Sequence, residues 1–114
     1  MSEQKGKVIL LGSEGIGRGD DDLGYEILIS MLKALIERKD RLIAIIFWNT
    51  GVKLLKEGSP AVSYLKILEG KGVQILAGQL CVRELELIDK MAIGKLATMD
   101  EILDLILYHE VLTL

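Results

Sequence analysis

The chain has 114 residues, half of them apolar, 27% charged and a single proline, which suits one domain with one hydrophobic core and excludes a disordered or low-complexity chain. Seventeen acidic against 14 basic residues leave a net charge of −3, without the basic patch that a nucleic-acid partner demands. The longest uncharged apolar stretch, residues 42–52, is too short to span a bilayer, and residues 1–7 lead into an apolar run too brief for a signal peptide; a cytoplasmic protein with no membrane partner is expected.

Residues 7–11 form a short β-rich run that breaks at Gly12 and gives way to the glycine- and aspartate-rich segment GSEGIGRGDDD. Beyond it, Leu23, Ile27, Leu28, Met31, Leu32, Leu35 and Ile36 trace the stripe of an amphipathic helix, with Glu26, Lys33 and Glu37 outside the stripe and Asp22 placed as N-cap. Residues 42–48 are continuously apolar, as in a central parallel strand covered on both faces, and the run ends at Asn49, Thr50 and Gly51. Ser59 and Pro60 then supply an N-cap and a first-turn proline to a helix carrying Ala61, Leu65 and Leu68 on one face and stopped by Gly70 and Gly72.

Residues 73–77 read as a third strand, followed by a loop that holds Cys81 and a short helix over 82–90 with Leu85 and Ile88 inward. Gly94 marks a turn, and residues 96–98 form a short fourth strand. Thr98 and Glu101 have the spacing of a capping box ahead of the stripe Met99, Ile102, Leu103, Ile106 and Leu107. Residues 111–114 close the chain as an edge strand. Strands alternating with helices throughout predict a single three-layer α/β domain over residues 1–114. A mean hydropathy of +0.36 is high for so small a domain with few aromatics, which predicts apolar surface buried between copies in a homo-oligomer.

The loop at 12–22 invites a phosphate-binding reading, but a P-loop needs Lys and Ser or Thr after its second glycine, and here Gly17, Arg18 and Gly19 stand before three aspartates that repel a phosphate. Glycines permitting a tight loop and aspartates capping a helix are the plainer account. Receiver-type chemistry needs an aspartate at the end of the third strand, where VQILAG has none. One cysteine and one histidine without ligand spacing make a structural metal unexpected, and no resident cofactor is expected either. His109, beside Tyr108 at the end of the last helix, is expected to be structural, and Trp48 to pack against a helix or a subunit.

Cys81 is the only cysteine, and it falls just past a strand end, the part of a parallel α/β protein where chemistry is usually carried out. Asn49, Thr50, Gly12 and Ser13 follow strands at the same sheet edge. Gly51, Gly78 and Arg83 complete the expected pocket, with Arg83 and the helix start near Val82 placed to stabilise an anionic sulfur. A single accessible thiol with no base, metal or triad suits sulfur carriage. A non-catalytic binding or assembly subunit in which Cys81 is incidental, and a small hydrolase or nucleotide-binding enzyme, stay open on the residues alone.

The segments LLGSEGIGRGDDDLGYEIL, IIFWNTGVKLLKEGS and KGVQILAGQLC, followed by IDKMAIGKLATMDEI, resemble the DsrE/DsrF-like family over almost the whole chain, most closely the C-terminal domain of YedF-type sulfurtransferase-like proteins associated with selenium metabolism. The resemblance implies a three-layer α/β/α fold with a mainly parallel five-stranded sheet and assembly into trimers or hexamers. It also implies a persulfide-bearing cysteine after the third strand, the position of Cys81. YedF-type chains carry a second cysteine in a C-G-x-C arrangement, whereas Gly78, Gln79 and Leu80 stand before Cys81 here, so a dithiol mechanism within one chain is excluded. The 114 residues hold no TusA-like domain, so either a separate sulfur-carrier protein delivers the sulfur or selenium or the domain has another role.

Overall fold

The computed structural model describes residues 6–114; residues 1–5, most of the segment that leads into the brief N-terminal apolar run, lie outside them. Five strands alternate with helices: β1 (Lys7–Leu11), α1 (Asp21–Glu37), β2 (Leu42–Phe47), a 3₁₀ segment (Asn49–Leu55), α2 (Ala61–Gly70), β3 (Gln74–Gly78), α3 (Gln79–Glu84), a single 3₁₀ turn (Ile88–Lys90), β4 (Lys95–Ala97), α4 (Met99–Ile106) and β5 (Glu110–Thr113). The sheet runs β4-β3-β2-β1-β5 and every neighbouring pair is parallel. It is the three-layer α/β/α architecture that the alternation of elements predicts.

Strand alternation sorts the core into two layers. Ile9, Leu11, Ile45, Phe47, Ile75 and Ala77 face one side, where Leu28 and Leu32 of α1, Ala61, Leu65 and Leu68 of α2 and Val82 of α3 cover them. Val8, Leu10, Ala44, Ile46, Leu76 and Ala97 face the other side beneath Ile102 of α4. Both faces of the central strands are thus buried, which accounts for their continuous apolar sequence. Among the described residues, no helix is long and apolar enough to cross a membrane.

Local signals behave as their chemistry requires, with three corrections. The side chain of Asp20, not Asp22, caps α1, accepting from the Leu23 N–H at 2.9 Å; Asp21 and Asp22 instead occupy the first turn, where carboxylates complement the helix dipole. Cys81 is not in a loop, because α3 starts directly after β3, at Gln79. Nor does that helix continue to residue 90: it ends at Glu84, leaving Leu85 half-buried and Ile88 49% exposed on a separate turn. The ending is a Schellman closure, in which the Leu87 N–H reaches the Val82 carbonyl and the Glu86 N–H that of Arg83. The Thr98–Glu101 capping box forms as expected, while Met99 and Leu107 of the α4 stripe stay exposed.

Candidate functional site

Strand register assembles the site. Leu11 pairs with Phe47, Phe47 with Ala77, and Gly78 with Ala97, so the residues that leave β1, β2, β3 and β4 emerge at one edge of the sheet. Cys81 sits two residues into α3 at that edge, half-buried. Gly78 lies in van der Waals reach of the thiol, since a Cβ there would stand 3.4 Å from both the Cys81 Sγ and the Trp48 Cβ.

Beyond β2 the chain makes one further rung, the Trp48 N–H donating to the Leu11 carbonyl at 3.1 Å, and then turns sharply at Asn49 with φ +50°. Asn is among the few L-residues that tolerate this left-handed conformation. At this turn the Asn49 backbone N–H donates to the Cys81 Sγ across 3.0 Å. Such a bond strengthens as its acceptor gains negative charge.

A cavity of about 230 Å³ opens beside the sulfur, walled by Trp48, Leu80, Ala97, Met99 and Ile102, with Gln79, Arg83 and Thr98 as its polar members. Leu80 and Met99 stand at its rim, 69% and 57% exposed. No carboxylate lines it, and Arg83 makes no ion pair among the described residues. The arrangement offers a soft nucleophile, one donor fixed on it, the Arg83 guanidinium and apolar walls that limit water. It suits covalent or close non-covalent handling of a small, soft group.

The expected pocket residues divide. Asn49, Gly78 and Arg83 gather around Cys81, and Gly12 lies beside the Trp48 indole, 3.6 Å separating a Cβ there from Nε1. Gly51 is buried and faces β1, since a Cβ on it would come within 2.7 Å of the Leu11 carbonyl oxygen; it serves packing and does not line the cavity. Ser13 and Thr50 line a separate cavity of about 420 Å³ with Glu14, Asp21, Asp22 and Tyr25. There the Tyr25 hydroxyl is buried without a hydrogen-bond partner among the described residues, and burial first, then Tyr64 and Glu14, push its pKa above the ordinary range. The glycine loop itself packs on α1: Ile16 N–H donates to the Gly24 carbonyl at 3.0 Å, and a Cβ on Gly15 would meet the Gly24 carbonyl carbon at 2.9 Å. Close backbone approach therefore explains Gly15 and Gly24.

His109 stands apart. Its Nδ1 lies 2.8 Å from the Leu105 carbonyl oxygen, and it precedes β5, whose Glu110 pairs with Lys7 at the opposite edge of the sheet from Cys81. A Cys–His pair within one chain is ruled out. Trp48, Leu80, Thr98, Met99 and Ile102 are site residues that the sequence did not reveal. Only the placement of β4 beside β3 brings the start of α4 to the thiol.

No protein-family model matches the chain, and no curated protein does. Among solved structures it is similar to MTH1491 of Methanobacterium thermoautotrophicum, described as a protein of unknown function (17% identity, TM-score 0.69, 96% of this chain and 99% of that one). It is also similar to BT1422 of Bacteroides thetaiotaomicron, a conserved protein of unknown function (19%, 0.63, 95% and 94%), and to the ychN protein of E. coli (17%, 0.63, 98% and 100%). At these identities the likeness establishes a shared fold and carries no activity with it.

Proposed function

We propose that the chain is a sulfur-relay protein of the DsrE/DsrF-like kind, holding sulfur, or selenium, as a persulfide-type adduct on Cys81. The observation that carries this reading is the Asn49 N–H fixed on the Cys81 sulfur at the mouth of an apolar-walled cavity. In loading, the Cys81 thiolate attacks the outer sulfur of a donor persulfide; a new S–S bond forms, the donor's S–S bond breaks and the donor thiolate leaves. The proton on the transferred sulfur stays with it and no electrons are gained or lost overall, so one cysteine suffices without a resolving partner. Hand-over repeats the exchange in the other direction. Trp48, Leu80 and Met99 shield the adduct from water, and Arg83 balances its charge. A separate carrier protein is the proposed donor, in the reducing cytoplasm where a lone thiol persists.

The test is incubation with a cysteine desulfurase and cysteine, followed by intact-mass and peptide analysis. One added sulfur on Cys81, absent in Cys81→Ser, is the expected result. No adduct, while a known carrier is loaded in parallel, would overturn the proposal. Arg83, which has no ion pair among the described residues and lines the same cavity, favours a second reading, a subunit that binds a small anion non-covalently with Cys81 as a bystander. Thermal stabilisation by small anions that persists in Cys81→Ser would support that reading.

A further inference from the structure

The polar residues of the thiol cavity differ in what already holds them. The Thr98 hydroxyl is engaged: it donates to the Glu101 Oε1 at 3.1 Å and accepts from the Glu101 N–H at 3.3 Å. The Gln79 amide and the Arg83 guanidinium line the same cavity and make no side-chain hydrogen bond or ion pair among the described residues. Arg83 is exposed, so it meets an entering ligand without first breaking an ion pair. The cavity therefore has a sign and a size. It can pair an anionic group, whereas a cationic one would find no carboxylate in the walls and would face Arg83. Its volume of about 230 Å³ falls below the roughly 300 Å³ at which pockets for drug-sized ligands begin.

We propose that the sulfur held on Cys81 is handed to a small thiol that bears a carboxylate and no cationic group, seated in this cavity with its carboxylate on Arg83 and Gln79. This rests on the relay reading above and adds the acceptor to it. A planar guanidinium meets a carboxylate through two parallel N–H···O bonds, which fixes the orientation of the ligand as well as its charge. The apolar walls then surround the short hydrocarbon link that joins carboxylate to sulfur. In the transfer, the acceptor thiol first loses its proton to solvent, and its thiolate attacks the outer sulfur of the Cys81 persulfide. A bond between acceptor and outer sulfur forms, the S–S bond to the Cys81 Sγ breaks, and Cys81 leaves as a thiolate. The proton on the outer sulfur travels with it, and no electrons are gained or lost overall. The leaving sulfur gathers negative charge where the Asn49 N–H already stands 3.0 Å away, and that bond strengthens as the charge develops.

The test begins with Cys81 loaded by a cysteine desulfurase and cysteine, then freed of small molecules. The loaded protein is mixed with 3-mercaptopropionate, 2-mercaptoethanol, cysteamine or glutathione at equal thiolate concentration. Discharge is followed by intact mass, and the small persulfide formed is trapped with iodoacetamide. 3-Mercaptopropionate should discharge Cys81 about tenfold faster than 2-mercaptoethanol, the scale of one hydrogen bond to a charged group, and its rate should saturate. Cysteamine should be slower still, and glutathione, too large for the cavity, no faster than 2-mercaptoethanol. Arg83→Gln should remove the advantage of the carboxylate, while Arg83→Lys, which keeps the charge without the planar fork, should retain part of it. Equal rates for 3-mercaptopropionate and 2-mercaptoethanol, glutathione as fast as 3-mercaptopropionate, or an advantage that survives Arg83→Gln would each overturn this proposal and leave the relay reading standing. A Cys81 that never loads would overturn both.

Discussion

The Asn49 backbone N–H donates to the Cys81 sulfur across 3.0 Å, from a residue that holds φ at +50°. Residue conformation and thiol environment thus meet at one position. A β-branched side chain at this position is strained in the left-handed region by about 1–2 kcal/mol and would swing the peptide away from the sulfur. Asn49→Val should lose about that much stability and slow alkylation of Cys81 several-fold, whereas Asn49→Gly should keep both near the parent. Denaturant titration and iodoacetamide kinetics on the three proteins check this; equal alkylation rates in all three would show that the donor does nothing for the thiol.

Trp48 is the only tryptophan and lines the same cavity as Cys81, so its emission should report what the sulfur carries. Alkylation or persulfide loading of the parent should shift or quench the fluorescence in step with the mass change. Cys81→Ser treated in the same way should show no change. A parent signal that stays constant through complete modification would place the adduct away from the indole.

How much of this was legible in the residues depended on the range of each interaction. The capping box is written within four residues, Thr98 to Glu101, and the β2 core run within six, so both could be read directly. The N-cap of α1 could not be fixed, because three consecutive aspartates compete and only the direction of chain entry selects Asp20. Helix α3 is six residues long, too short for periodicity to separate it from a loop. Asn49 and Cys81 were expected at one edge because both follow parallel strands. Met99 and Thr98 were missed because strand order is a long-range outcome, and nothing local in the sequence states that β4 flanks β3.

Two glycines make the same point about packing. Gly51→Ala would push a Cβ to within 2.7 Å of the Leu11 carbonyl oxygen, a backbone atom held in the sheet, and should cost about 2 kcal/mol or more. Gly70, the last residue of α2, has no left-handed φ, and a Cβ added there would meet nothing within 4 Å, so Gly70→Ala should stabilise by about 0.5 kcal/mol. Chemical denaturation of the pair should show opposite signs.

Glu86 is the second non-glycine residue with positive φ, at +57°, and it occupies the left-handed position of the Schellman closure behind Cys81's helix. Glycine suits that position best. Glu86→Gly should stabilise by about 1 kcal/mol, or about 3–6 °C in melting temperature for a chain of this size. Loading of Cys81 should be unaffected, since Glu86 does not line the cavity and the Asn49 donor lies at the other end of the helix. A loss of stability would mean that the Glu86 side chain contributes more than its backbone strain costs.

Glu101 ties stability to pH at the rim of the cavity. The Thr98 backbone N–H donates to its Oε1 at 2.9 Å and the Thr98 hydroxyl at 3.1 Å; these bonds, with the nearby Lys95, hold the carboxyl below the ordinary glutamate value of 4.5. A carboxyl whose pKa is lower folded than unfolded contributes stability that is complete above the unfolded value and is lost as pH falls through the folded one. The melting temperature of the parent should therefore fall more steeply below about pH 4.5 than that of Glu101→Gln, whose amide keeps a pH-independent cap. Because Thr98 and Met99 border the thiol cavity, Trp48 emission should change over the same acid range in the parent and not in the variant. Parallel acid profiles for both proteins would show that the capping box and the cavity are not coupled.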